Sequence, residues 1–209
     1  MTKRKGILST IALSVALTLT MTITASAATL SYWYSDASTI GKWSSSPKVW
    51  YNKMDSSASF AFLSGLLNGA SVWNSALGTT VDVSSGYTTA PIKFYGGTAA
   101  QIEGLGIFGK VPDSYFGLTV YTKYTTGGTH TYNGTNKTCV FHQEITGYIV
   151  SRSDLSYDNY ICTASHEMGH SMGWHGHPSS SQPAWVMQQG KLENTVLATG
   201  EKNHLSQIY

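Results

Sequence analysis

The stretch His166-Glu167-Met168-Gly169-His170-Ser171-Met172-Gly173-Trp174-His175-Gly176-His177 constrains this chain more than any other. On a helix, positions i and i+4 lie on one face, so His166 and His170 can reach one metal ion together with Glu167 beside it. Gly173 then stops the helix, because glycine accepts the positive φ through which a chain leaves its last turn. The chain can turn back there, and a histidine a few residues on can meet the same ion. Zinc binds imidazole nitrogen well, and a catalytic zinc site uses three protein ligands and a water. A carboxylate next to the first ligand can take a proton from that water and pass it to a leaving amine. Four of the seven histidines fall within these twelve residues, which favours a built site over scattered surface imidazoles. His130, His142 and His204 stand alone and are expected to be surface or satisfied core residues.

The beginning of the chain reads as a processing signal. Lys3, Arg4 and Lys5 precede an apolar run from Ile7 to Ile23, and Ala25-Ser26-Ala27 is a small-residue cleavage pattern. Residues 1–27 are therefore expected to be a secretory signal peptide and residues 28–209 one secreted domain. Removing three basic residues and no acidic one turns the formal charge of +2 into −1. Charge thus points to neither a nucleic-acid partner nor a stable membrane association. Cys139 and Cys162 are the only cysteines. In an exported chain they allow one disulfide, but two cysteines form no framework pattern, and two free buried thiols are the competing reading. Cys162 lies four residues before His166 and could share its helix face, but the downstream imidazoles already supply a third ligand.

Periodicity gives the rest of the outline. Residues 28–46 read as an N-terminal arm and Pro47–Tyr51 as a short strand. A helix from Ser56 or Ser57 to Leu77 has apolar positions every three or four residues (Phe60, Leu63, Leu67, Ala70, Trp73, Leu77) and Gly78 as its stop. Val81–Val83, Pro91–Tyr95, Leu118–Tyr124, Cys139–Phe141 and Ile145–Val150 read as strands. Gly96–Asp113 reads as a loop with one helical turn near Ala99–Gln101, and Thr125–Asn136 as a Gly/Thr/Asn loop. The metal-motif helix spans Asp158–Met172, Trp174–Gly190 is a loop, and a short closing helix starts at Thr199 or Gly200. This order implies an α+β domain with a mixed sheet.

At its histidine motif the chain resembles the metzincin zinc metalloproteases, and among them the matrixin-like group. Their pattern is H-E-x-x-H-x-x-G-x-x-H followed by a Met-turn. His166, Glu167, His170 and Gly173 match it position for position, whereas Gly176 stands where the third histidine is expected. The resemblance favours His177 as the third ligand, after a one-residue insertion, because Gly176-His177-Pro178-Ser179 is similar to the Gly-His-Ser stretch of relatives. His175 remains the alternative. Met187 resembles the Met-turn residue. The resemblance also implies a twisted sheet of about five strands, mostly parallel with one antiparallel edge strand, an active-site helix, a backing helix and a C-terminal helix. An extended substrate would lie along the edge strand, for which Leu118–Tyr124 is the candidate. Structural calcium is common in the family, but the scattered acids here form no compact oxygen-ligand loop. No cysteine stands between the signal and the first strand to block the zinc. The expectation is a secreted, monomeric zinc endopeptidase acting on protein or peptide substrates, with Glu167 as general base. The alternative is a secreted zinc-binding or surface-interaction domain that keeps the fold without turnover.

Overall fold

A sixteen-residue strand, β6 (Thr135–Val150), is the spine of the sheet. In this computed structural model, which describes residues 39–132, 135–177 and 185–209, two strands pair with one side of β6 end to end. These are β1 (Thr39–Lys42), matched to Thr138–Phe141, and β4 (Ile92–Gly97), matched to Ile145–Val150, both parallel. Beyond β4 follow β2 (Lys48–Lys53) and β3 (Asp82–Val83), again parallel. The other side of β6 carries β5 (Gly117–Tyr132), among the described residues the one antiparallel strand, which forms an edge of the sheet. The expected signal peptide lies outside the described residues, and no helix among those described is long and apolar enough to cross a membrane.

Two helices, α1 (Phe62–Leu77) and α3 (Tyr157–Ser171), pack together over one sheet face. Glycines make their close approach possible: a Cβ on Gly65 would come 2.6 Å from the Ala164 Cβ, and one on Gly69 would come 3.0 Å from the Ser165 Cα. The Trp73 indole donates to the Ser165 carbonyl at 2.8 Å and locks the pair. Phe62, Leu66, Trp73, Ile92, Phe94, Ile145, Met168 and Trp174 are fully buried in the core between helices and sheet. A smaller cluster of Ile102, Val111, Tyr148 and Val150 fixes α2 (Ala99–Gly104) to the sheet. The last helix, α4 (Thr199–Ser206), touches α1.

The mixed architecture is compatible with the expected α+β class, and three local expectations are corrected. Within the presumed N-terminal arm, Thr39–Lys42 is a strand, held by pairing with residues about a hundred positions later rather than by local pattern. The expected Gly/Thr/Asn loop belongs mostly to the long β5–β6 hairpin. Its threonines suit strand backbone, and Gly127-Gly128 sit at a register shift, with Gly128 at φ 72° absorbing the bulge. Helix α1 begins at Phe62, not at Ser56 or Ser57. The Asp55 carboxylate accepts from the Ser57 N–H and the Ser57 carbonyl accepts from the Phe60 N–H, so that segment is a turn. Cys139 and Cys162 are both buried and unbridged, so the free-thiol reading holds. The stops at Gly78 and Gly173 stand as expected, with φ of 63° and 111°.

Candidate metal centre

Helix α3 starts with a reciprocal cap. Ser156 Oγ accepts from the Asn159 N–H, and Asn159 Oδ1 accepts from the Ser156 N–H. From that fixed start the helix carries His166 and His170 on one face toward a cleft of about 510 Å³. Their Nε2 atoms lie 3.0 Å apart, and His177 brings its own Nε2 to 3.1 Å from the first and 3.3 Å from the second. Among the described residues, no other three His, Cys, Asp or Glu side chains converge on a common point. His175, the alternative third ligand, is elsewhere: its ring stacks on Tyr121 at 4.2 Å.

The second nitrogen of each helix-borne ring explains the orientation. His166 Nδ1 lies 2.8 Å from the Val186 carbonyl and His170 Nδ1 lies 2.6 Å from the Trp174 carbonyl. A carbonyl only accepts, so each Nδ1 carries the proton and each neutral ring turns an Nε2 lone pair toward the centre. Burial holds His166 well below the usual histidine range, lowers His170 to about 4 and lowers His177 as well. All three rings are therefore neutral near pH 7, with lone pairs crowded within hydrogen-bond distance. Such crowding is repulsive without a cation. A tetrahedral ion with metal–nitrogen bonds of about 2.0–2.1 Å sets its ligand nitrogens about 3.3–3.4 Å apart, close to the spacing observed. The three histidines fit a metal ion; their geometry does not identify which one.

Glu167 is one step round the helix from His166 and is buried at the cleft wall. Thr119 on β5 donates its hydroxyl to Glu167 Oε2 at 2.7 Å. Gly117 leaves the space this carboxylate needs, since a Cβ there would come 2.8 Å from Oε1. Burial pushes the Glu167 carboxyl up to about 8, against the opposing pull of the Thr119 bond. A neighbouring dication would draw it down again.

Met187 is fully buried, and its sulfur fills the space where a Cβ on Gly169 would sit, 2.4 Å away. It therefore lies directly behind the ligand helix. Glu201 holds that turn in place, and nothing in the sequence reading singled it out. It is fully buried, and its carboxylate accepts from the Met187 N–H at 2.7 Å and the Ala198 N–H at 2.8 Å. A Glu three residues after the N-cap Ala198 of α4 was the available signal. Burial raises the Cys162 thiol to about 12; it lines the cleft but does not join the histidines. His204 is a core residue packed on Trp174 at 4.3 Å, and His130 Nε2 lies 2.8 Å from the Gln207 carbonyl. Residues 178–184 of the loop between the third histidine and Met187 lie outside the described residues. Comparison of the chain with family profiles and with curated proteins finds no match.

Proposed function

We propose that the protein is a secreted zinc-dependent endopeptidase of metzincin-like, matrixin-like architecture. The observation that carries this reading is the convergence of three imidazole lone pairs beside an anchored carboxylate, in one cleft bordered by an edge strand. His166, His170 and His177 would hold the ion. When bound, zinc lowers the pKa of a coordinated water toward neutrality and polarises a carbonyl. Glu167 accepts a proton from the attacking water and delivers it to the departing amine nitrogen. Thr119 holds one carboxylate oxygen and leaves the other for this transfer. The cleft side of β5, at Gly117 and Thr119, offers backbone groups to an extended peptide, which would add as a further strand. The mostly parallel sheet with one antiparallel edge and the buried Met187 behind the ligand helix support the same reading.

The deciding experiment is a protease assay on purified protein lacking residues 1–27, using a mixed-peptide library with and without a chelator. Cleavage that is lost on chelation, restored by zinc and absent in Glu167→Ala supports the assignment. Zinc binding without any cleavage would turn the protein into the non-catalytic metal-binding domain instead.

A further inference from the structure

We propose that His175, the residue that displaces the third ligand from its expected place, is a positioning residue that sets His177 for metal binding. Two left-handed glycines bracket the insertion, Gly173 at φ 111° and Gly176 at φ 94°. Between them Trp174 turns into the core, where it meets His204 and Trp185, and its carbonyl accepts from His170. His175 then enters a slot of its own. Its ring is 7% exposed and stacks on Tyr121 with an interplanar angle of 25°. The far wall of the slot is His142, itself stacked on Tyr121 at 5.0 Å.

The slot exists because β1 contributes a glycine. A Cβ on Gly41 would come 2.4 Å from His175 Nε2 and 2.6 Å from His142 Nε2. Tyr121 ties this slot to the metal centre. It precedes a register shift in β5, which re-aims the strand, and its hydroxyl donates to the His170 carbonyl at 2.8 Å. One side chain therefore touches the backbone of one ligand and the ring two residues before another. With His175 docked, Gly176 alone separates a buried anchor from His177. That short tether confines the third imidazole to the triangle before any ion arrives, and confinement of a ligand is what outer-layer contacts contribute to metal affinity.

This inference rests on the three-histidine centre and not on peptidase activity, so its test reads the metal. Purified wild-type protein, His175→Ala and His175→Phe are loaded with zinc and titrated with a competing chelator, and their cobalt(II) absorption spectra are recorded. The expected result for His175→Ala is an affinity loss of about 10-fold or more with an unchanged cobalt spectrum. His175→Phe, which keeps the stack on Tyr121 and has no ligand nitrogen, should recover most of that loss. Wild-type affinity in His175→Ala overturns the proposal. So does an altered cobalt spectrum in His175→Phe, which would make His175 a ligand. Gly176→Ala strains the tether without emptying the slot and covers the case in which His175→Ala does not fold. It should also weaken zinc binding, and unchanged affinity there overturns the proposal.

Discussion

Two groups of three rings lie side by side in this molecule, and they use histidine in opposite ways. In one, His166, His170 and His177 point their Nε2 atoms at a shared point, and backbone carbonyls occupy the outward nitrogens of the two helical rings. In the other, His142, Tyr121 and His175 meet through their faces, and both His142 nitrogens are buried with no hydrogen-bond partner among the described residues. Residue type does not separate the two groups. What separates them is how the rings meet: three Nε2 atoms converge in the first group, and ring faces meet in the second. The first arrangement fits a metal ion; the second is packing.

The contrast is broken most severely at Glu167. Replacing it with alanine should lower peptide hydrolysis by about 10³-fold, within the range for losing a general base, while bound zinc stays at one per chain. Peptidase turnover near the wild-type rate after this change would remove the mechanism. The next effect compares one ring from each group. His177→Ala should lose zinc affinity by roughly 100-fold or more, whereas His142→Ala should keep one zinc per chain, as measured by metal analysis after dialysis. Equal losses would erase the distinction between ligand and packing rings.

A third change attacks the place where the two groups touch. Gly173 has φ 111°, and a Cβ there would come 2.3 Å from the Gly41 carbonyl oxygen. Gly173→Ala should therefore cost about 3 kcal/mol in denaturant unfolding, from strain and collision together. An unaltered unfolding midpoint would mean that this junction yields easily.

The smallest effect concerns pH and the packing group alone. Burial lowers His142 from 6.5 to about 4 in the fold, so the unfolded chain binds this proton more readily. Stability is full above about pH 6.5 and falls with acidification toward pH 4, by roughly 2 kcal/mol at about pH 5 for this residue. Burial gives His166, His170 and His175 the same sign, and Glu167, whose carboxyl keeps its proton in the fold, the opposite sign. In metal-free protein, His142→Phe keeps the ring but removes the proton site. Its stability should fall less steeply with acid than that of the wild type, and parallel curves would show that His142 titrates normally.

The difference between the two groups also explains what could be read in advance. The His166–His170 pair, Glu167 and the Gly173 stop follow from helix geometry within a few residues, and all were legible. The choice of His177 over His175 depends on a slot built from Gly41 and Tyr121, which are distant in sequence, so spacing alone left it open. His142 gave no local sign of its part for the same reason. Strand β1 has no apolar alternation of its own and exists through its pairing with β6. The glycines and threonines of the β5–β6 hairpin look like a loop until the bulge at Gly128 is placed. Glu201 is an ordinary surface-type residue in sequence, and only the buried turn at Met187 gives its carboxylate work to do.

The end-to-end docking of β1 and β4 on β6 has a kinetic consequence. Ile40 pairs with Cys139, a contact spanning about a hundred residues, and contacts of such long span form slowly because the intervening chain must first be brought together. During synthesis from the N-terminus, β1 must wait unpaired until residues 138–141 have emerged. Gly41 travels with β1, so the slot beneath His175 closes only when that late pairing is made. Refolding monitored at the Trp43 indole, which donates to the Ser171 carbonyl at 2.7 Å, would follow the arrival of this strand at the end of the ligand helix.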